Sequence, residues 1–195
     1  MAELRWLGHT CVRIKAREAV ILMDPAERST GYGIGKQTAD IVTLSNDPLG
    51  RNLAAVRPEF RTIDGPGEYE LQNVFVTGAR SYQTESRDDD RLYNTMYVVE
   101  VEGLKIGHVG NIGHTLSEAQ AEAFEDVDIL VVPVGGEQQF TYDKAVDLVT
   151  KLEPFCKKLG MEIPEPEDKL VVKPSDLGET TRLVVLNPDS DPVRR

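Results

Sequence analysis

The sequence predicts an α/β fold of the α+β type, in which two β-sheets are covered by two or three helices. Many short segments alternate between apolar and polar residues and are separated by turn residues, a pattern typical of antiparallel hairpins. Segments with helical spacing are few, and they do not alternate with strands as a doubly wound parallel sheet requires. The length of 195 residues suits one large domain with a sizeable core.

The first quarter of the chain is predicted to form buried strands. Leu4–Leu7 and Cys11–Ile14 alternate with period two, which indicates two strands in sequence. The apolar run Ala19–Met23 ends at Asp24-Pro25, because a residue before proline is disfavoured in the helical region. Ile41–Leu44 is predicted to be a further buried strand.

Two hairpins are predicted in the middle of the chain. The first spans Glu68–Val76 and turns at Gln72-Asn73. The second pairs Thr95–Val101 with Leu104–Val109. The almost continuously apolar segment Val127–Val132 predicts a strand that is buried on both faces.

Two helices are predicted in the second half. Thr115-Leu-Ser-Glu118 matches a capping box and predicts a helix over Ser117–Phe124. Tyr142–Leu159 is predicted to be a second helix, which Pro154 interrupts.

Residues 1–160 are predicted to form the main domain. Residues 161–195 are predicted to pack on the same domain as a linker, two late strands and a polar tail. The late strands are predicted at Lys169–Val172 and Leu183–Leu186.

Charge and composition exclude several classes of function. The formal net charge is −11, whereas nucleic-acid binding needs clustered Lys and Arg, so no nucleic-acid partner is expected. The N-terminus has no apolar signal region and no stretch approaches ~18 apolar residues, so we expect a cytoplasmic protein without a membrane partner. Cys11 and Cys156 form no Cys-x-x-Cys pair, which excludes a zinc-ribbon or redox motif of that type.

Six short segments, in this order, resemble one protein family. They are Trp6-Leu-Gly-His-Thr-Cys11, Met23-Asp-Pro25, Ala39-Asp-Ile-Val42, Gly65-Pro-Gly-Glu-Tyr-Glu70, His108-Val-Gly-Asn-Ile-Gly-His114 and Pro133-Val-Gly-Gly136. Together they resemble the metallo-β-lactamase-fold hydrolases, in particular a small bacterial branch related to the ascorbate-lactone hydrolases. The resemblance covers roughly residues 3–155 and implies a four-layer αββα sandwich, with the active site along one edge.

The family's main metal motif is a His-x-His-x-Asp-His run after a buried strand, which holds two zinc ions that activate water. Here the corresponding run is Ser45-Asn-Asp-Pro-Leu-Gly-Arg51. By this alignment Asn46 and Pro48 replace the first two histidines, Gly50 replaces the aspartate, and Arg51 replaces the last histidine. Asp47 falls on a variable position.

The later ligand positions also differ from the family pattern. Gln83 occupies the next histidine position, and Gly110-Asn111 replaces the Gly-Asp pair of the bridging ligand. The final ligand strand is expected to be deleted, because Leu152-Glu-Pro-Phe155 leads directly into the predicted C-terminal helix and linker, so the sandwich is truncated near its C-terminus. Amides are poor zinc ligands and arginine is permanently cationic, so zinc and other cofactors are not expected.

Polar residues nevertheless remain near the expected cleft. We expect His9 and His108 to stiffen loops through hydrogen bonds, and His114 to lie just before a helix. Asp24 resembles a family residue that orients metal ligands, and without ligands it needs a new partner. The sequence predicts an Asp24–Arg51 ion pair.

Three interpretations of function follow. The first is a non-catalytic binding or interaction module that pairs with itself or with an active relative, helped by a sheet edge that the missing strand leaves open. The second is a hydrolase with a rebuilt metal or acid–base site, built from His9, Asp47, His108 and His114. The third is a small-anion pocket whose donors are Asn46, Arg51, Gln83 and Asn111.

Overall fold

The computed structural model describes residues 1–46, 51–57, 59–84, 92–132, 167–178, 184, 186 and 191–192. The strands are β1 Ala2–Gly8, β2 Cys11–Lys15, β3 Val20–Met23, β4 Tyr32–Gly33, β5 Ile41–Thr43, β6 Arg61–Ile63, β7 Gly67–Leu71, β8 Val74–Tyr82, β9 Tyr93–Val101, β10 Leu104–His108, β11 Ile129–Val131, β12 Leu170–Val172 and β13 Asp191–Pro192. One α-helix, α1, spans Glu118–Glu122 within this part of the chain, and short 3-10 turns span Arg28–Thr30, Leu53–Ala55 and Pro174–Asp176.

The strands form two mixed sheets. The six-stranded sheet has the order β12-β1-β2-β3-β5-β6, and the five-stranded sheet has the order β11-β10-β9-β8-β7. Strand β12, from the predicted late-strand region, pairs antiparallel with β1. A two-stranded pairing joins β13 to β4, so part of the predicted polar tail is in fact paired.

The two sheets pack face to face around one apolar core. Ile14, Ile21 and Ile41 of the first sheet share this core with Val76 and Val99 of the second. Leu22 and Val42, which alternate with these residues along the same strands, point to the opposite face. They form a second apolar cluster with residues of a loop, namely Leu53, Ala55 and Val56. Successive side chains of a strand point to opposite faces of the sheet. The central strands are therefore apolar at nearly every position, because both of their faces are covered.

The outer face of the five-stranded sheet is covered by the segment that contains α1. Phe124 and Leu116 pack against Met96 in this cluster. The N-cap of α1 is Ser117 and its capping-box partner is Gln120, so the predicted box starting at Thr115 was two residues too early. The hydroxyl of Ser117 accepts from Gln120 N–H, whereas Thr115 lies outside the helix.

Other predictions have mixed outcomes. Both hairpins are confirmed, with strand pairs β7–β8 and β9–β10. The strand predicted at Val127–Val132 is shorter, at β11, and is half-buried rather than fully buried because it is an outer strand of its sheet. The predicted helix Tyr142–Leu159, the predicted deletion after Leu152 and most of Leu183–Leu186 lie outside the described residues. No helix in the described ranges is long and apolar enough to cross a membrane.

The sheet order places several strand ends along one edge. Strands β3, β5 and β6 are parallel, so they end together at Met23, Thr43 and Ile63. The turn between β1 and β2 reaches the same edge, because Val12 at the start of β2 pairs with Met23. Thr95 N–H of β9 donates to the carbonyl of Ser45, which ties this edge to the second sheet.

The Tyr97 hydroxyl links the two sheets near this edge. Tyr97 is fully buried. Its hydroxyl donates to Leu44 O at 2.9 Å and lies 3.3 Å from Ile63 O.

We expect Tyr97→Phe to lower the free energy of unfolding by about 1–2 kcal/mol, because the buried carbonyls of Leu44 and Ile63 lose a donor. Urea denaturation measures this change. Tyr93→Phe is the control, since Tyr93 is exposed and should change stability by less than about 0.5 kcal/mol; equal losses in both variants would contradict the prediction.

Candidate functional site

Asp24 is the buried centre of the strand-end edge. It directly follows β3, and its backbone is left-handed, with φ 49°. Asp24 N–H donates to Thr43 O at 2.9 Å, and Oδ1 accepts from Ser45 N–H at 2.7 Å. Because β3 and β5 are adjacent and parallel, the turn after one strand reaches the end of the other. The side chain is fully buried, so its negative charge requires a partner.

Arg51 is that partner. An isolated bridge between Ala26 and Arg51 holds the Arg51 backbone beside the turn that Asp24 begins. Arg51 Nη2 lies 3.2 Å from Asp24 Oδ2, which confirms the predicted ion pair. The same guanidinium donates from Nη2 to Asn46 Oδ1 and from Nη1 to Thr10 Oγ1. Its side chain is only 4% exposed, so solvent screens the pair weakly.

His9 joins this cluster through Thr10. His9 Nδ1 lies 3.1 Å from Thr10 Oγ1, which also accepts from Arg51. The His9 backbone is left-handed, with φ 53°, and its carbonyl accepts from Trp6 Nε1. Burial lowers the pKa of His9 below its ordinary value, and the Arg51 charge lowers it further. His9 is half-buried and is therefore within reach of solvent.

Asn94 is buried, and its side-chain amide connects backbone and side-chain groups of the five-stranded sheet next to the strand-end edge. Its Nδ2 donates to Ser81 Oγ and to Val109 O, and its Oδ1 accepts from Asn111 N–H. Gly110 has φ 63° and passes so close that a Cβ there would lie 2.6 Å from Ser45 Oγ. Only glycine suits this combination of backbone angle and contact.

The side-chain amides of Asn111 and Gln83 are hydrogen-bonded to each other in the partly exposed part of the strand-end edge, which we call the rim. Asn111 Nδ2 donates to Gln83 Oε1 at 3.2 Å, and Gln83 Nε2 donates to Tyr93 O at 3.0 Å. The two residues that the sequence analysis aligned with the later family ligand positions are therefore brought together. Their facing amide groups are hydrogen-bonded to each other.

His108 lies inside the protein rather than at the rim. It is fully buried, its Nε2 lies 2.9 Å from Thr10 O, and its Nδ1 accepts from Gly110 N–H at 3.2 Å. His108 therefore makes the backbone hydrogen bonds that were expected of it, and these contacts fit a neutral ring protonated on Nε2. Burial lowers the pKa of His108 below its ordinary value, against the opposing effect of Asp24.

His114 is separated from the Asp24–Arg51 pair and lies beside Tyr82. Its Nε2 accepts from Tyr82 N–H at 3.1 Å, and its Nδ1 lies 2.7 Å from Thr115 O. The rings of Tyr82 and His114 are 6.0 Å apart, and Tyr93 packs against Tyr82 at 5.6 Å. His114 thus connects a strand end to the start of the α1 segment.

The structure brings the predicted site residues together in two groups. His9, Asp24, Asn46 and Arg51 form one group, and Gln83 with Asn111 forms the other; Asp47 lies outside the described residues. Within the described ranges, no group of three or more His, Cys, Asp or Glu side chains is arranged to hold a metal ion.

Sequence reasoning missed three buried polar residues, Thr10, Ser45 and Asn94. Thr10 and Asn94 each stand beside an apolar strand segment, and a polar residue at such a position signals a specific hydrogen-bonding role.

Three buried polar atoms in and beside the first group lack a hydrogen-bond partner among the described residues. They are Asp24 Oδ2, Ser45 Oγ and Arg51 Nε. The Oδ2 atom has a charge contact with Arg51 Nη2 at 3.2 Å, but it accepts no hydrogen bond. Unpaired buried polar groups are rare in folded proteins, so this cluster is an unusual feature of the edge.

Comparison with known proteins identifies the family. Residues 3–156 match the family model described as the beta-lactamase superfamily domain, so the chain belongs to the β-lactamase superfamily. A UPF0173 protein of Pyrococcus furiosus is 26% identical over 174 residues, which cover 78% of this chain and 79% of that protein.

Solved structures agree with this assignment. A Thermotoga maritima protein, assigned to the Zn-dependent hydrolases of the metallo-β-lactamase superfamily, is 31% identical with a TM-score of 0.63 and is matched over 78% of this chain and 72% of its own. A Parabacteroides distasonis protein designated a metal-dependent hydrolase has a TM-score of 0.58 at 14% identity, over 77% of each chain, and shows the fold alone. The predicted metallo-β-lactamase-type sandwich is confirmed.

The buried Asp24–Arg51 pair should be strongly coupled. We expect Asp24→Asn and Arg51→Met each to lower the free energy of unfolding by about 3–5 kcal/mol, because each leaves one buried charge unpaired. The double variant should lose less than the sum, since it carries neither charge. Urea denaturation of all four proteins completes the cycle.

The control cycle uses Glu3 and Lys169, whose partly exposed ion pair has a distance of 2.8 Å. Its coupling should not exceed about 1 kcal/mol. Additive losses at Asp24 and Arg51 would show that the two side chains do not depend on each other.

His108 should make stability depend on pH. The unfolded chain protonates this histidine below pH of about 6.5, whereas the folded protein resists protonation to lower pH. Stability from His108 is therefore complete above that pH and is lost as the pH falls, by at most about 1.4 kcal/mol per pH unit.

The measurement is urea denaturation of wild type and His108→Gln from neutral to mildly acidic pH. The difference in unfolding free energy between the two proteins should shrink as the pH falls. A constant difference across this range would contradict a buried neutral His108.

Proposed function

We propose that this chain is a metal-independent, non-catalytic member of the family, acting as a binding or interaction module. In this role it pairs with a second copy of itself or with an active relative. The observation that carries the proposal is the Arg51 guanidinium, ion-paired with Asp24 and hydrogen-bonded to Asn46 at the strand-end edge. The similar Thermotoga maritima protein is by its description Zn-dependent.

The charge at this position argues against zinc. Arginine cannot be deprotonated at ordinary pH, so a dication beside the Arg51 guanidinium would meet electrostatic repulsion in a poorly screened environment. The guanidinium already uses the side-chain oxygen of Asn46 and the Oδ2 atom of Asp24. The residues present therefore do not fit a zinc ion here.

The second group, Gln83 with Asn111, also argues against a zinc ion. Zinc sites use imidazole, thiolate and carboxylate ligands, whereas Gln83 and Asn111 offer neutral amides. These amides are hydrogen-bonded to each other, and Gln83 also donates to a backbone carbonyl. A metal would have to break these contacts to gain weak ligands.

The other two interpretations have less support. A rebuilt metal site needs free histidine nitrogens, but both ring nitrogens of His108 and of His114 already have protein partners. A small-anion pocket needs an accessible cation, but Arg51 is buried and neutralised by Asp24. An edge whose arginine and amide groups are already paired with protein groups favours a binding role over metal-dependent hydrolysis.

Metal analysis tests this proposal directly. Protein purified without chelator should contain far less than one zinc, manganese or iron per chain, and added zinc should not raise the melting temperature. The physical reason is that a ligand stabilises only the state that binds it. The Thermotoga maritima relative, purified and assayed in parallel for ester, lactone and phosphodiester hydrolysis, is the matched control.

Stoichiometric metal that survives dialysis, together with metal-dependent hydrolysis, would overturn the proposal. Light scattering after size-exclusion chromatography tests the pairing. A mass of one chain at all concentrations, with or without an active relative, would contradict the interaction role.

A further inference from the structure

A groove opens on the outer face of the five-stranded sheet, beside the C-terminal end of α1. Its volume is about 210 Å³. Phe75 of β8, Glu100 of β9 and Lys105 of β10 line it on the sheet side, and Glu122 and Asp126 line it on the side of the α1 segment. The strand-end edge lies at the opposite ends of β9 and β10, so the groove is a separate surface.

Phe75 presents an exposed aromatic ring between two glutamates. It is 48% exposed, whereas its neighbours Val74 and Val76 are buried on the other face of β8. The strand register places Phe75 opposite Glu70 of β7 and opposite Glu100 of β9. Residues that are directly opposite each other share a face of the sheet, with Cβ atoms about 5 Å apart. The ring is therefore flanked by a carboxylate on each side.

The groove has an excess of negative charge. Lys105 lies opposite Glu100 on the next strand, but its ammonium is 3.5 Å from the carboxylate of Asp126, which balances its charge. In the part of the chain that the structure describes, Glu70, Glu100 and Glu122 have no ion-pair partner. These three carboxylates therefore leave the surroundings of Phe75 negatively charged.

An aromatic face with carboxylates beside it suits an arginine side chain. A cation above an aromatic ring is attracted by the ring's electron-rich face. A guanidinium is planar, so it can stack on the ring of Phe75 and donate to more than one carboxylate at once. The aliphatic stem of the same arginine can pack on Val98, which also lines the groove. A lysine ammonium is more strongly hydrated and does not stack, so it gains less.

The volume and the charge of the groove indicate that a protein supplies this arginine. Pockets for drug-sized molecules occupy about 300–1,000 Å³, which is more than this groove offers, whereas one long side chain needs less space. Arginine is also enriched among the residues that dominate protein–protein interfaces. A second copy of the chain would carry the same formal net charge of −11 and be repelled, whereas a basic partner would be attracted.

We infer that this groove docks an exposed arginine of a basic partner protein, with the guanidinium stacked on Phe75. Glu70, Glu100 and Glu122 supply the opposite charge. The inference rests on the proposed binding role and deepens it, because it names the surface and the chemistry of the partner. It favours pairing with a different protein over pairing of two copies.

A blocked tripeptide, acetyl-Leu-Arg-Leu-amide, is the probe that tests the inference. It is titrated into protein labelled with a heavy nitrogen isotope, and the backbone amide signals of Phe75, Val98 and Glu100 should shift saturably in NMR spectra. The same peptide with citrulline in place of arginine has a similar shape but no charge. It should bind about fivefold more weakly or worse, because it lacks the attraction to the ring and to the carboxylates. Added salt should reduce this difference, since exposed charges are screened.

Three variants separate the groove from general charge effects. Phe75→Ser and Glu100→Gln should each weaken binding of the arginine peptide by about threefold or more. Glu118→Gln is the matched control, because it removes an exposed glutamate of α1 that does not line the groove, and it should leave binding unchanged. Unchanged signals of the buried core show that each variant is folded. If a variant does not fold, the comparison of the two peptides on the wild-type protein still decides.

No saturable shift, equal affinity for the citrulline peptide, or an equal loss in Glu118→Gln would overturn the inference. Pairing with an active relative that Phe75→Ser leaves unchanged would also overturn the groove assignment, while the proposed interaction role would stand. Self-pairing that Phe75→Ser abolishes would overturn the choice of a different protein as the partner. Stoichiometric zinc with metal-dependent hydrolysis would instead overturn the proposed function, and it would leave the peptide result unaffected.

Discussion

The rest of the site depends on the burial of one carboxylate. Asp24 is fully buried at the end of β3, where its Oδ1 holds the loop after β5 through Ser45 N–H and its Oδ2 faces Arg51. A buried carboxylate without a cation would be strongly unfavourable. Arg51 meets this requirement, and because a guanidinium has several donors it also connects Asn46 and Thr10. The buried charge of Asp24 therefore connects the loop after β3, the loop after β5 and the turn between β1 and β2.

The fold was largely predictable because its strands have clear patterns. Leu22 faces one core and its neighbours Ile21 and Met23 face another, which is why this strand is apolar at every position. Turn residues marked both hairpins. The capping box was placed two residues too early, because Thr115 and Ser117 both suit an N-cap and only the packing of Leu116 and Phe124 decides between them.

The site was predictable only in part. The Asp24–Arg51 pair was predicted from the family resemblance, because Asp24 resembles a residue that orients metal ligands and Arg51 stands where one of those ligands is expected. The roles of Thr10 and Asn94 were not visible, because a hydroxyl or an amide acquires its partners only when distant segments meet. Thr10 joins residues 41 and 98 positions away along the chain, and no local pattern encodes such a contact.

Asn94 has a consequence for how the rim behaves. Its one amide group joins Ser81 of β8, the carbonyl after β10 and the backbone of Asn111. An amide has an oxygen end and a nitrogen end, so its orientation is fixed by which partners donate and which accept. If Asn111 moved, the Asn94 amide would have to move with it, and its hydrogen bonds to Ser81 and to the Val109 carbonyl would be disturbed. The outline of the rim is thus set by the strands beneath it, and the binding role proposed for this chain would use a preformed surface.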